Sequence, residues 1–530
     1  MPLNAQNTAP EMGDLQSRMN IKHDLVLPGL PKESPQVLYQ RPVLPQVYNT
    51  AEGHFQLHYT NTGTDAVAQV YTNPDGVPDF IYEAGRCAER VYRLLIDTLG
   101  FQPPPSDGID GDATDIYVKN LGGSAYAYTY PENEVTATPR LYDYTAYTVI
   151  DNDYYEYFTA GLNGLRVTLA HEYFHVVQLG YNWWQSNNLP GATNGDTYFL
   201  EWCSTWFEER AYPEVNDYYN YMSAYFYMPT SSLWSSSYWY ALGPFLRSVL
   251  DEVGEKRLAP VWEGIKTTTA FAALETMLKD QQTSVATCWN QFCRRSYYTG
   301  ARYEMRWALS TDAADFPLLQ IAGANQALIG NLPQFPATIQ PHATIPFRVL
   351  FNRDLYLSFQ TSVNANGGGA ASYLLSKYLI GDVHNQLGLG EKIYTGKVGY
   401  GDSLLIFVTN SSLTTAASYT ISFQEHQDSS GVHNRLLAIY PNPINTNADQ
   451  DLLLKIRVGG IVTDPALQCF DLAGREIFTT RLNTGLLIPG TYTLTLPAAT
   501  LRNAQLTSGV FLMQMQLGGT RSAQKMVVIK

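Results

Sequence analysis

Apolar and polar positions alternate along this chain with two distinct periods, and those periods sort it into segments. FQLHY (55–59) alternates like a strand, whereas EAGRCAERVYRLLIDTLGF (83–101) repeats Ala84, Cys87/Ala88, Val91 and Leu94/Leu95 at helical spacing. TDIYVKNL (114–121) and TAYTVIDND (145–153) predict strands, the second ending in a polar turn. A helix is predicted over about 162–180, where Leu165, Val167, Leu169, Phe174 and Val177 supply an apolar side, and another over about 198–211. Helical patterns continue to about residue 310, as in YALGPFLRSVLDEVG and AFAALETMLKD, so residues 51–310 read as one α+β unit.

The flanking segments differ. Residues 1–50 have little periodicity and several prolines, predicting an extended arm over the next unit or a pro-segment. From residue 311 to 428 the pattern shifts to short β-like runs, IPFRVLF, DLYLSFQT, DSLLIFVTN and YTISFQ, separated by Gly/Asn/Ser turns. A β-sandwich is the economical reading. The polar stretch QEHQDSSGVHN follows, and residues 429–530 form a further all-β segment. The expected fold is therefore multidomain: an α+β domain followed by two β-sandwiches.

Composition narrows the partners. A length of 530 residues exceeds one hydrophobic core, and 45% hydrophobic against 15% charged residues indicates an ordered globular chain. The net charge of −14 argues against nucleic acid or an anionic membrane surface, both of which select Lys/Arg patches. Five scattered cysteines are no disulfide scaffold. No apolar run reaches the roughly 18 residues that a membrane span needs. MPLNAQNTAP lacks the basic and apolar regions of a signal peptide. Either the protein stays in the cytoplasm, or its numbering begins after a removed signal.

The chemistry concentrates in AHEYFHVVQLGY, which begins at residue 170. His171 and His175 are four apart, so both imidazoles project from one helix face, and Glu172 can reach a water held between them. A catalytic zinc takes three protein ligands and a water, and a neighbouring carboxylate can take that water's proton and pass it to the leaving amine. Two histidines at this spacing are also ordinary on a helix. By chance, a chain of this composition holds the pattern on the order of once in 100 sequences. A third ligand would separate the readings. In EWCSTWFEE, Glu201, Thr205 and Glu208 share a helix face, so one carboxylate can ligate while the other orients a histidine.

Here the chain resembles the gluzincin zinc metallopeptidases, in which the two-histidine motif is followed some twenty to thirty residues later by a glutamate-bearing helix. NPDGVPDFI, DIYVKNLG, VIDNDY, LAHEYFHVVQLGY, LEWCSTWFEE and YALGPF together look like a group of secreted bacterial metallopeptidases, over roughly residues 50–260. The resemblance implies a zincin-like catalytic domain, with His171, His175 and Glu201 as zinc ligands and Glu172 as the catalytic base. Glu208 would support a ligand from behind. Tyr240, or else Tyr238, would stabilise the oxyanion. TAYTVIDND would be the edge strand that pairs an extended peptide substrate. The chain departs from the family after the third ligand, where small residues give way to Trp202, Cys203 and Ser204. A bulky Trp202 would narrow the cleft or repack the helix, and Cys203 reads as core.

Calcium is a second cation to consider. Asn73, Asp75 and Asp79 in NPDGVPD, and Asp107, Asp110, Asp112 and Asp115 in DGIDGDATD, offer oxygens beside glycines, as calcium loops do, and as ordinary turns and helix caps also do.

At the other end, IYPNP (439–443), FDLAGREI (470–477) and a final hairpin closing at GGT look like the sorting domain of the type IX secretion system. That resemblance implies export across the outer membrane to a secreted or cell-surface location, and a signal peptide absent from this numbering. The sequence as a whole points to a secreted zinc endopeptidase acting on peptides or proteins. Its rivals are a non-catalytic surface or adhesion protein that keeps the metal helix as scaffold, and a zinc hydrolase of some other bond, such as an amide in a glycan.

Overall fold

The computed structural model describes residues 22–25, 40–109, 111–135, 143–182, 196–321, 326–327, 334–351, 353–364, 368–377, 381–387, 389–426, 434–448, 450–459, 462–482, 484–487 and 490–530. Two compact units divide the chain, Met1–Gln320 and Ile321–Lys530. It is a multidomain protein that mixes helices with several β-sheets.

The first unit is built on a six-stranded mixed sheet: β1 (Lys22–Leu25), β2 (Gln46–Asn49), β3 (Phe55–Tyr59), β4 (Thr114–Lys119), β5 (Ala125–Glu134) and β6 (Tyr144–Asp151), in the order β1-β5-β6-β4-β3-β2. Strands β3, β4 and β6 run parallel, β5 is antiparallel to β6, and β1 pairs with β5 in parallel. The TAYTVIDND segment is therefore not an edge. β6 is paired on both sides and all eight of its residues are buried. Thr148 is buried with Thr129, their hydroxyl oxygens 3.3 Å apart.

Helix α1 (Asp79–Tyr92) packs on α2 (Gly161–Tyr181), which lies across β5 and β6 and against α3 (Thr197–Ala211). α2 is buried over most of its circumference, as expected of a helix sandwiched between a sheet and other helices. This unit also holds the α-helices α4 (Ser223–Tyr227), α5 (Gly243–Val253), α6 (Leu258–Ile265), α7 (Ala270–Asp280) and α8 (Val285–Arg295). Gly243 permits a close contact between α5 and α3: a Cβ there would lie 2.9 Å from Thr205 Cγ2 and 3.1 Å from the Trp206 nitrogen. Without a side chain, the start of α5 settles directly on α3 and carries the preceding turn, Tyr240–Leu242, with it.

In the second unit, Lys392–Val398, Leu355–Asn364, Ala417–His426 and Gln334–Ile339 form one sheet, in that order. Gly381–Leu387, Gly369–Lys377, Ser403–Asn410, Thr344–Leu350 and Gln326–Ala327 form a second. Both close on a core that includes Phe359, Tyr373, Leu404, Ile406 and Tyr419. A further pair of sheets, between Arg435 and Ile529, shares a core of Leu452, Leu454, Ile456, Met513, Met515 and Met526. There Leu452–Val458 alternates buried and exposed positions at the strand period. Among the described residues no helix is long and apolar enough to cross a membrane.

Candidate metal centre

Three of the singled-out side chains converge. The donor atoms of His171, His175 and Glu201 all lie within 4.8 Å of one another. His171 Nε2 is 3.0 Å from His175 Nε2 and 3.2 Å from Glu201 Oε2, and His175 Nε2 is 3.5 Å from the same oxygen. A tetrahedral ion with bonds of about 2.0–2.1 Å needs donor separations of about 3.3–3.4 Å, so the spacing suits a small cation. His171, Glu172 and His175 are 0% exposed and Glu201 is 2% exposed.

The tautomers follow from the partners behind each ring. His171 Nδ1 donates to Glu208 Oε1 at 2.5 Å, and His175 Nδ1 donates to Gln178 Oε1 at 2.7 Å. The Gln178 amide nitrogen donates to the Leu200 carbonyl at 3.1 Å, which fixes the oxygen end of the side chain toward His175. Both Nε2 lone pairs then face the same point, together with a carboxylate. Three buried electron-rich atoms this close require a positive charge between them, either a metal or a proton. In the metal-free chain, burial opposes the charge on Glu201, but His175 and His171 outweigh it and hold its pKa at about 2. Burial lowers the pKa of His175, and the Glu201 charge more than reverses that. The Glu208 carboxyl is raised well above its usual range by burial, with the charges of Asp217 and Glu201 adding to it.

Glu172 sits on the sheet side of α2. Thr129 of β5 donates its hydroxyl to Glu172 Oε2 and lies 3.3 Å from the Glu172 carbonyl oxygen. Tyr240 stacks beside His171 with ring centroids 5.9 Å apart, and Tyr221 packs against Tyr240 at 5.4 Å. Tyr238 instead donates to the Met228 carbonyl and accepts from the Ser231 nitrogen at 3.2 Å, which ties it into a neighbouring loop. Trp202 is 1% exposed and packs among Tyr198, Phe199 and Phe245, at 5.0, 6.2 and 5.5 Å between centroids. It is core packing behind α3, and Cys203 is likewise fully buried.

The residues considered for calcium are engaged otherwise. Asp79, the first residue of α1, accepts from the Thr72 nitrogen at 2.7 Å and from Asn73 Nδ2 at 2.7 Å, so it closes the preceding turn. Asn73 Nδ2 also donates to the Val77 carbonyl, and Asp75 accepts from the Tyr48 hydroxyl at 2.5 Å. Asp107 and Asp115 both pair with the Arg41 guanidinium, which is held bidentate by Glu132 at 2.6 Å on each oxygen. Asp112 is exposed, and Asp110 lies outside the described residues. A separate trio, Glu52, His54 and Glu89, also brings donor atoms within 4.8 Å, but Arg93 pairs with Glu52 and His54 stacks on Tyr92 at 3.7 Å.

Gln178 and Thr129 are absent from the site that the sequence suggests. Gln178 carried a signal: it lies three residues after His175, one turn along the same face. Thr129 carried none, because only the stacking of β5 on α2 brings it to Glu172.

No family model matches the chain, and neither does any curated protein sequence. Among solved structures, the chain has slight likeness to the periplasmic g-type lysozyme inhibitor PliG of Salmonella Typhimurium (TM-score 0.13, 11% identity, 20% of this chain and 97% of that one). It is comparably like a GH2 beta-galacturonidase from Eisenbergiella tayi (TM-score 0.15, 10% identity, 36% of this chain and 35% of that one). A biofilm-associated protein BSP domain scores 0.14 at 7% identity, over 38% of this chain and 52% of that one. Likeness at this level carries no functional argument.

Proposed function

We propose that this chain is a secreted, zinc-dependent endopeptidase of the gluzincin kind, with a zincin-like catalytic domain. The observation that carries the reading is the buried convergence of two imidazoles and one carboxylate, with Glu172 beside them. The donor set, two nitrogens and one oxygen at tetrahedral spacing, suits zinc. When bound, zinc would polarise the scissile carbonyl and lower the pKa of a coordinated water.

The protein's own groups would do the rest. Glu172, steadied by Thr129, would take the water's proton and return it to the leaving amine. Glu208 and Gln178 would keep the ligand rings turned inward. Tyr240, beside His171, would donate a hydrogen bond to the developing oxyanion. Residues 429–530, ending in the paired strands Gly509–Leu517 and Thr520–Ile529, would serve as a type IX sorting domain, with the secretion machinery as partner.

The complete burial of the centre favours a second reading, a non-catalytic surface protein that keeps the metal as scaffold. Metal analysis of the purified protein, with a peptide-library digest with and without chelator, separates the two. About one zinc per chain with chelator-sensitive cleavage supports the peptidase. Zinc without cleavage supports the scaffold, and no zinc after repletion removes both. Separately, deletion of residues 429–530 should block export, and normal secretion of that truncation would refute the sorting role.

A further inference from the structure

We propose that the substrates of this centre are cationic peptides, rich in Lys and Arg, and that Asp217 is a residue that selects them. The inference rests on the peptidase reading, which supplies the bond that is cut.

Charge is divided unevenly along the chain. Met1–Gln320, the unit that holds the centre, carries 20 Lys and Arg against 37 Asp and Glu, a net −17. Ile321–Lys530 carries 14 against 11, a net +3. A net charge of that size gathers partners of the opposite sign and speeds their arrival, most of all where low-dielectric walls focus the field. Peptides rich in Asp and Glu are repelled by the same field.

The same sign continues into the site. Glu201 and Glu172 would balance a divalent ion, and Glu208 faces His171. Asp217 is left over. It is 2% exposed and opens the turn Asp217–Asn220, which packs on α3. Its Oδ1 accepts from the Thr159 hydroxyl, just before α2, and from Asn220 Nδ2 at 3.1 Å, both neutral donors. Its Oδ2 has no hydrogen-bond partner, and among the described residues no Lys or Arg pairs with it. Arg247 instead serves Glu209 and Asp312, at 3.2 and 3.0 Å.

The Asp217 charge is felt at the centre. Tyr221 follows the turn and packs against Tyr240, the ring beside His171. Burial raises the hydroxyl pKa of Tyr221 and of Tyr126 on β5, and the Asp217 charge raises each further. A buried carboxylate with no cation beside it is stabilised by any positive charge that approaches. A Lys or Arg side chain of a bound peptide gains there what an Asp or Glu loses.

Two labelled peptides test this in the full-length, zinc-loaded protein. They share a central apolar stretch, flanked by Lys in one and by Glu in the other. At about 0.01 M salt, where charges act over about 30 Å, kcat/KM should favour the Lys peptide on the order of tenfold or more. At about 1 M salt, where that reach is about 3 Å, the ratio should fall severalfold. Asp217→Asn should lower the low-salt ratio on the order of threefold. Thr159→Val removes the tie to Asp217 but leaves its charge, and should keep the wild-type ratio. Equal cleavage of the two peptides, or a preference for Glu, would overturn the proposal. So would a ratio that Asp217→Asn leaves unchanged, or that Thr159→Val lowers as much, since Asp217 would then only hold the turn. If neither peptide is cut, the peptidase reading falls, and anisotropy of the same peptides in excess chelator still decides the charge preference.

Discussion

Gln178 Oε1 stands 2.7 Å from His175 Nδ1, and the amide nitrogen of the same side chain donates to the Leu200 carbonyl at 3.1 Å. One side chain thus joins the helix that carries the histidines to the helix that carries Glu201. Gln178→Met, close in size but without the acceptor, should weaken zinc binding about 10- to 100-fold. Gln178→Glu keeps the acceptor and should recover most of that loss. Chelator competition measures both, and equal loss in the two variants would show that Gln178 matters only for packing.

Glu172→Gln preserves shape and removes the base. Zinc stoichiometry should remain near that of the wild type while peptide cleavage falls about 10²- to 10⁴-fold. Thr129→Val, which removes the hydroxyl that holds Glu172, should cause a smaller loss in kcat with zinc still bound. An active Glu172→Gln protein would remove Glu172 from the mechanism.

Asp196 opens α3, and its buried carboxylate accepts from the Ala270 nitrogen, the start of α7, at 2.7 Å. Burial pushes its pKa up to about 7 despite that hydrogen bond. The folded state therefore holds a proton that the unfolded chain releases near pH 4, so this group's contribution is full below about pH 4 and is lost as pH rises through about 7. Asp196→Asn removes the dependence. In denaturant titrations, the stability of the variant relative to the wild type should rise by on the order of 2–3 kcal/mol between pH 5 and pH 8. A difference constant with pH would contradict the assignment.

Trp202 packs against Phe245 and Tyr198 rather than facing the donor cluster. Trp202→Ala should cost about 3–5 kcal/mol of stability, while zinc content at saturating metal stays at the wild-type level. Loss of zinc from a folded Trp202→Ala protein would place this side chain in the centre after all.

The sequence shows the ligand helices more readily than it shows their surroundings. Spacing of four within HEYFH and of seven between Glu201 and Glu208 are local properties of one helix each, and the structure brings those side chains together. The order of strands is not local. TAYTVIDND alternates as an edge strand would, and nothing in its own residues reveals that β5 and β4 flank it. β5 goes unpredicted, although AYAYTY alternates Ala and Tyr at the strand period; Pro131 interrupts the alternation, and there the β5–β6 register shifts. Asp79 illustrates a different ambiguity: a carboxylate that closes a turn at a helix start and one that awaits a cation have the same neighbours in sequence.

Arg41 lies in the proline-rich stretch that reads as a loose arm, yet its guanidinium joins Asp107, Asp115 of β4 and Glu132 of β5, and rests 5.6 Å from the Tyr147 ring centroid. That contact sets how far the chain can be shortened from its front. A fragment beginning at Gln40 keeps the guanidinium and loses β1. A fragment beginning at Pro42 would leave Asp107, Asp115 and Glu132 without the guanidinium they share, with only His58 still paired to Asp115, and their mutual repulsion would pull at two neighbouring strands. The working boundary of this fold therefore falls just before a residue that looks dispensable.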